Sequence, residues 1–186
     1  MSVLSDISIR ACLGSLASSR LRVEPFVAAQ VQPCSLDLTL GPVLTIPGPG
    51  QSARIKTGEL PERYTHVPIT DAPHPLRPGE SLLGCTAEAV TIPDDLVGLL
   101  VGRSTVARLF VAVEAAGLLD AGYTGRPTLE ISNHGPHTVW LDAGIQIAQL
   151  LLLRLTTPVE QPYSGRYQAD QWPTPARASK EGSNGR

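Results

Sequence analysis

"ESLLGCTAEAVTIPDDLVGLLVG", residues 80–102, decides the fold. Two short apolar runs, 80–93 and 96–102, flank the turn "PDD" at 93–95. The first carries Leu, Val, Ile and Thr, the second Leu and Val, and both read as strands. The pattern repeats outward. "LFVAV" (109–113), "PTLEISN" (127–133), "HTVWL" (137–141) and "IQIAQLLLLRL" (145–155) follow. Upstream, "SLDLTLG" (35–41) alternates Leu with polar residues, as a half-buried strand does. Turn signals recur about every eight to twelve residues, which predicts an antiparallel β sandwich or barrel rather than βαβ units.

The remainder fits one domain. The chain has 186 residues, long enough to bury a sizeable core. Aromatic residues are only 4%, so Val, Leu, Ile and Ala must fill that core. Ser5 or Asp6 is expected to cap a short helix running to about Leu16. "SSRLRVEPF" (18–26) reads as a turn and a short strand, and residues 47–79 as loops and edge strands. After Pro158 apolar periodicity stops. Tyr163 to Arg177 is either disordered or an arm that orders over a ligand or a neighbouring subunit; the last seven or so residues read as disordered.

The totals also exclude partners. A net charge of -2 provides no basic field, so a nucleic-acid polymer is a poor partner and phosphate binding must be local. The N-terminus lacks a basic flank and a long apolar stretch, so it does not read as a secretory signal. "IAQLLLLRL" is too short for a membrane helix and a cytoplasmic location is expected. Cys12, Cys34 and Cys85 read as small buried thiols, and no Cys/His set has zinc spacing.

Several polar residues stand out. In "GRSTVAR" (102–108), Arg103, Ser104, Thr105 and Arg108 combine two guanidinium forks with two hydroxyls, which suits a polyphosphate and equally suits an ordinary surface turn. Glu130 lies between Leu129 and Ile131, so in a strand it points to the face opposite theirs. That face is either solvent or a pocket, where a carboxylate could move protons. Asp120 and Tyr123 share the turn "LLDAGYTG"; the Asp can bond its own backbone or hold a sugar hydroxyl, with Tyr123 stacked on the sugar. His134 and His137 in "HGPH" read as an exposed hairpin turn rather than a metal site.

"QPCSLDLTLG" (32–41), "PDDLVGLLVGRSTVARL" (93–109), "AGLLDAGYTGRPTLEISN" (116–133), "GIQIAQL" (144–150) and "PYSGRYQ" with "PTPAR" (162–177) together resemble the dCTP deaminase family, which groups with the trimeric dUTPases. The resemblance implies a mainly β fold, a distorted jelly-roll barrel of the dUTPase-like type with a short N-terminal helix. It implies a β domain over residues 1–162 and an arm over 163–186 that closes on the nucleotide. It implies a homotrimer with sites between subunits.

The implied activity is hydrolytic deamination of dCTP to dUTP and ammonia. The alternatives are a bifunctional enzyme that continues to dUMP and pyrophosphate, a dUTPase, or a binding module without chemistry. By resemblance, Glu130 shuttles protons, and Ser104 and Arg108 complete the catalytic set. Arg103, Thr105, Val106 and Ala107 belong to the segment around phosphates and active site. Asp120 meets the 3′-hydroxyl, and Tyr123 the sugar. Thr128 and Leu129 meet the base, and Gln149, Tyr163, Arg166 and Gln171 make further contacts, with Gln168 an alternative to Gln171. Mg²⁺ would enter with the triphosphate, no zinc is expected, and dTTP is a candidate inhibitor. Two departures accompany the match. The loop 109–119 is one residue shorter than usual for deaminases, and Glu114 stands near the place of a His.

Overall fold

A computed structural model describes residues 2–14, 20–114 and 117–178. Nearly all regular structure is antiparallel β. One large sheet runs in the order Leu118–Leu119, Leu96–Gly102, Gln146–Arg154, Ser35–Thr39, Val31–Gln32, with Ser2–Val3 also pairing on Gln146–Arg154. The other runs Val111–Glu114, Thr128–Asn133, Ser81–Cys85, Val43–Pro47, Tyr64–Pro68. Two smaller sheets complete the jelly-roll-like fold; hydrogen bonding divides the strands among these sheets rather than closing one barrel.

Strand alternation builds the core. Leu96 and Leu100 of the Leu96–Gly102 strand point inward, while Leu99 and Val101 face out. Leu150 and Leu152 do the same from Gln146–Arg154, and Leu129 and Ile131 from Thr128–Asn133, all within one apolar cluster. A register shift between Gln146 and Ala148 turns two successive residues, Ile147 and Ala148, into that core.

Several expectations need correction. The helix spans Asp6–Leu13 with Gly14 as its C-cap, and the expected end near Leu16 lies outside the described residues. "SLDLTLG" is not half-buried: Ser35 to Leu38 are all buried, because the strand lies inside its sheet and its polar face meets a second polar layer. "ESLLGCTAEAVTIP" is two strands, Ser81–Cys85 and Ala89–Thr91, in different sheets. Thr86 breaks the run by donating to the Glu88 carbonyl at 2.6 Å. "HGPH" closes no hairpin; it carries the chain from the sheet of Thr128–Asn133 to the pair Val139–Leu141 and His74–Leu76. Of the cysteines only Cys85 is buried, and Cys34 is exposed. The expected disorder of the last residues falls outside the described ones from residue 179. Among the described residues no helix is long and apolar enough to cross a membrane.

Burial pushes the Cys85 thiol from 9.0 up to about 11, partly offset by the charge of Arg126. A raised folded value favours the protonated native state. Its stabilisation is complete below pH 9 and is lost as pH rises toward 11. Denaturation midpoints should therefore fall across that window, and Cys85→Ala should flatten the fall. An unchanged alkaline slope in that variant would rule Cys85 out as its source.

Candidate active site

Residues 126 to 132 form the floor of the site. Leu129 and Ile131 are fully buried, so the alternate positions Arg126, Thr128, Glu130 and Ser132 share the opposite face. All four line a cavity of about 560 Å³, a size that suits a nucleotide-scale ligand. Glu130 is half-buried there. The face opposite Leu129 and Ile131 is thus a pocket rather than open solvent. Glu114 pairs with Glu130 across the ladder through the backbone.

The turn 120–125 forms one wall. Asp120 is exposed and Tyr123 buried, and both line the cavity. Burial, reinforced by Asp170, holds the Tyr123 hydroxyl well above its ordinary value, so it remains protonated. The Tyr123 and Tyr163 rings lie 6.1 Å apart at 51°.

The C-terminal segment forms the roof. Tyr163 N–H donates to the Ala121 carbonyl at 2.8 Å, Ala169 N–H to Thr124 at 2.7 Å, and Arg126 N–H to Asp170 at 2.7 Å. Thr45 Oγ1 donates to the Pro173 carbonyl at 3.1 Å. Gln168 is the main fastener: its Oε1 accepts from Thr124 N–H at 2.9 Å, and its Nε2 donates to the Gly122 carbonyl at 2.9 Å. Gln171, the other glutamine expected as a possible contact, is exposed and among the described residues bonds its near neighbour Ala169. Arg166 is exposed, donates to the Arg177 carbonyl and lies 5.9 Å from the Tyr167 ring centroid.

Gly122 allows this closure. Its φ of +90° suits glycine, and a Cβ there would lie 2.5 Å from Pro162 Cβ and 2.8 Å from Tyr163 N. Gly122→Ala should cost about 1–3 kcal/mol and loosen the arm. A lower Tm with faster tryptic cleavage at Arg166 is expected; wild-type behaviour in both would mean that the arm does not rest on this turn.

The other site residues lie elsewhere on the chain. Arg103 caps the four-residue helix Ser104–Ala107, and Arg108 follows it. Ser104, Thr105, Ala107 and Arg108 are exposed, and only Val106 packs on the core. None of residues 103–108 lines the cavity. Gln149 is also outside it, hydrogen-bonded to Asp37. The Leu129 side chain is core and does not line the cavity. Arg126, Asp170, Tyr64, Tyr167 and Thr174 line the cavity without having been singled out in sequence. The alternation Arg126–Thr128–Glu130 was a signal for the first; the others depend on how the arm folds back.

Among the described residues, no group of three or more His, Cys, Asp or Glu is placed to hold a metal ion. The donor set of a zinc deaminase, His and Cys around an activated water, is not assembled by them.

A family model described as dCTP deaminase-like matches residues 3–155. The chain is 40% identical over 186 residues to a protein of Mycolicibacterium smegmatis named "dCTP deaminase, dUMP-forming", covering 95% of this chain and 96% of the relative. A protein of the same name from Parafrankia sp. is 38% identical over 187 residues, covering 96% and 92%. Among solved structures, the 2'-deoxycytidine 5'-triphosphate deaminase of Agrobacterium tumefaciens aligns with a TM-score of 0.63 at 26% identity, over 81% of this chain. The chain spans about half, 47%, of that structure's length. With the model matching most of the chain and near-full-length relatives at this identity, the protein belongs to the dCTP deaminase-like family.

Proposed function

We propose that this protein deaminates dCTP and carries the product on to dUMP. In the first step water adds to C4 of cytosine and ammonia leaves, giving dUTP. In the second, water attacks the α-phosphorus and pyrophosphate leaves. The observation that carries the reading is that two carboxylates, Glu130 and Asp120, open into one cavity together with Tyr123. In this reading one serves the base and the other the sugar and α-phosphate. The full-length similarity to proteins named dUMP-forming supports the second step.

Glu130 takes a proton from the attacking water and delivers it to the departing nitrogen. Asp120 holds the 3′-hydroxyl and orients water for the second attack, while Tyr123 stacks under the deoxyribose. In this reading deamination runs without zinc, with Glu130 handling the protons. Mg²⁺ arrives with the triphosphate and offsets its charge.

The working unit is a homotrimer. Ser104 and Arg108 lie outside the cavity that Glu130 lines, and in this reading a neighbouring subunit brings them to the reaction. Leu99, Val101 and Leu118 expose an apolar face beside that segment, which a second copy would cover.

The test is product analysis with Mg²⁺ on dCTP and on dUTP separately. Ammonia, dUMP and pyrophosphate from dCTP are expected. Accumulating dUTP would restrict the protein to deamination, and pyrophosphate from dUTP with dCTP untouched would make it a dUTPase. No product from either would leave a nucleotide-binding module.

A further inference from the structure

The polar layer beneath the Ser35–Thr39 strand is unusual for its burial. Asp37 has only 2% of its side chain exposed, yet it faces the guanidinium of Arg103. Arg103 Nη1 donates to Asp37 Oδ2 at 2.8 Å, and the same nitrogen donates to Gln146 Oε1. Asp37 Oδ1 accepts from Gln149 Nε2 at 3.0 Å, and Ser35 Oγ lies 3.5 Å from that nitrogen. From the other side, Gln30 Nε2 donates to the Asp37 carbonyl at 3.1 Å and to Glu88 at 2.7 Å.

Counting donors shows what this leaves. A guanidinium has five N–H groups: two on each Nη and one on Nε. Asp37 and Gln146 take both hydrogens of Nη1. The edge formed by Nε and Nη2 makes no hydrogen bond to any described residue, and it is the edge that forks onto two oxygens of a phosphate. Gln149 is constrained in the same way. A carboxylate only accepts, so Gln149 must turn its amide nitrogen toward Asp37 and present its oxygen to the outside.

We infer that Asp37 is a positioning residue for the nucleotide's phosphates. It aims the Nε–Nη2 edge of Arg103 outward and sets Gln149 as an acceptor beside it. The inference rests on the proposed function together with the place of Arg103 in the segment that the family resemblance puts around the phosphates. Asp37 itself is too buried to touch substrate.

The test is a double-mutant cycle on the full chain, with dCTP steady-state kinetics, Tm and assembly mass for each protein. Arg103→Ala should raise KM about tenfold or more, the loss of a charge-assisted contact, with kcat within about threefold. Asp37→Asn should raise KM by a similar factor, because an Asn cannot accept from both Arg103 and Gln149. The double variant should be no worse than Arg103→Ala alone. A merely structural Asp37 would lower Tm and leave the KM-to-kcat pattern unmoved. Native KM in Asp37→Asn, or effects that multiply in the double variant, would overturn the positioning role while leaving Arg103 as a contact. Native KM in Arg103→Ala would instead remove Arg103 from the site, and the inference with it. Should Asp37→Asn not fold, Asp37→Glu keeps the charge but displaces it by one methylene; a native KM there would equally overturn the role.

Discussion

Glu130→Gln should reduce ammonia release from dCTP by about 10²–10⁴-fold, the usual contribution of a positioned proton-transfer group. Gln has nearly the same shape and retains hydrogen bonding, but it cannot take a proton from water and return it to the leaving nitrogen. The flanking Leu129 and Ile131 are fully buried, whereas Glu130 faces the cavity, so the change leaves the core alone. Binding of dCTP should stay within a few-fold, since the lost interaction belongs to the transition state. Pyrophosphate release from dUTP should persist, because in the proposed mechanism that step does not use this carboxylate. Stopped-time assays of ammonia and pyrophosphate, with calorimetric binding of dCTP, separate the two. Wild-type ammonia release in this variant would remove Glu130 from the chemistry.

The second large effect concerns Asp120. Asp120→Asn should lower pyrophosphate release from dUTP by about 10²-fold or more, because an amide cannot draw a proton from the attacking water. KM should rise for both nucleotides as the contact to the 3′-hydroxyl weakens. Deamination should fall less, so dCTP turnover in this variant should accumulate dUTP instead of dUMP. Equal losses of both activities would mean that Asp120 serves only binding. An unaffected dUTP hydrolysis would assign that water to another group.

Together the two variants dissect one cavity. Glu130 sits on a strand held on both sides by Val111–Glu114 and Ser81–Cys85, whereas Asp120 sits on a turn under the arm. On the proposed reading, the strand holds the group that serves the base and the turn holds the group that serves the sugar.

Much of this was legible in the linear chain. Apolar runs bounded by turn residues are a local property, and they marked the strands near 96–102, 127–133 and 145–155, while the period-two geometry of a strand turned Glu130 away from Leu129 and Ile131. Pro, Gly and Asp marked the turns between them. The resemblance to dCTP deaminases rested on ordered short motifs, and the full-length relatives carry the same family name. What alternation cannot specify is which strands become neighbours. The polar face of "SLDLTLG" looked like a solvent face, yet Asp37 is buried there because Gln30, Arg103 and Gln149 come to it from distant positions. The arm's register was equally hidden. Gln168 rather than Gln171 fastens it, since the return path of the backbone, not composition, selects which glutamine meets Gly122 and Thr124. Local spacing alone determined the strands, the turns and the direction of Glu130. Only the tertiary structure decided that Glu130, Asp120 and Tyr123 share a cavity while Arg103 and Gln149 share a buried carboxylate, because those neighbours are chosen by long-range pairing and burial.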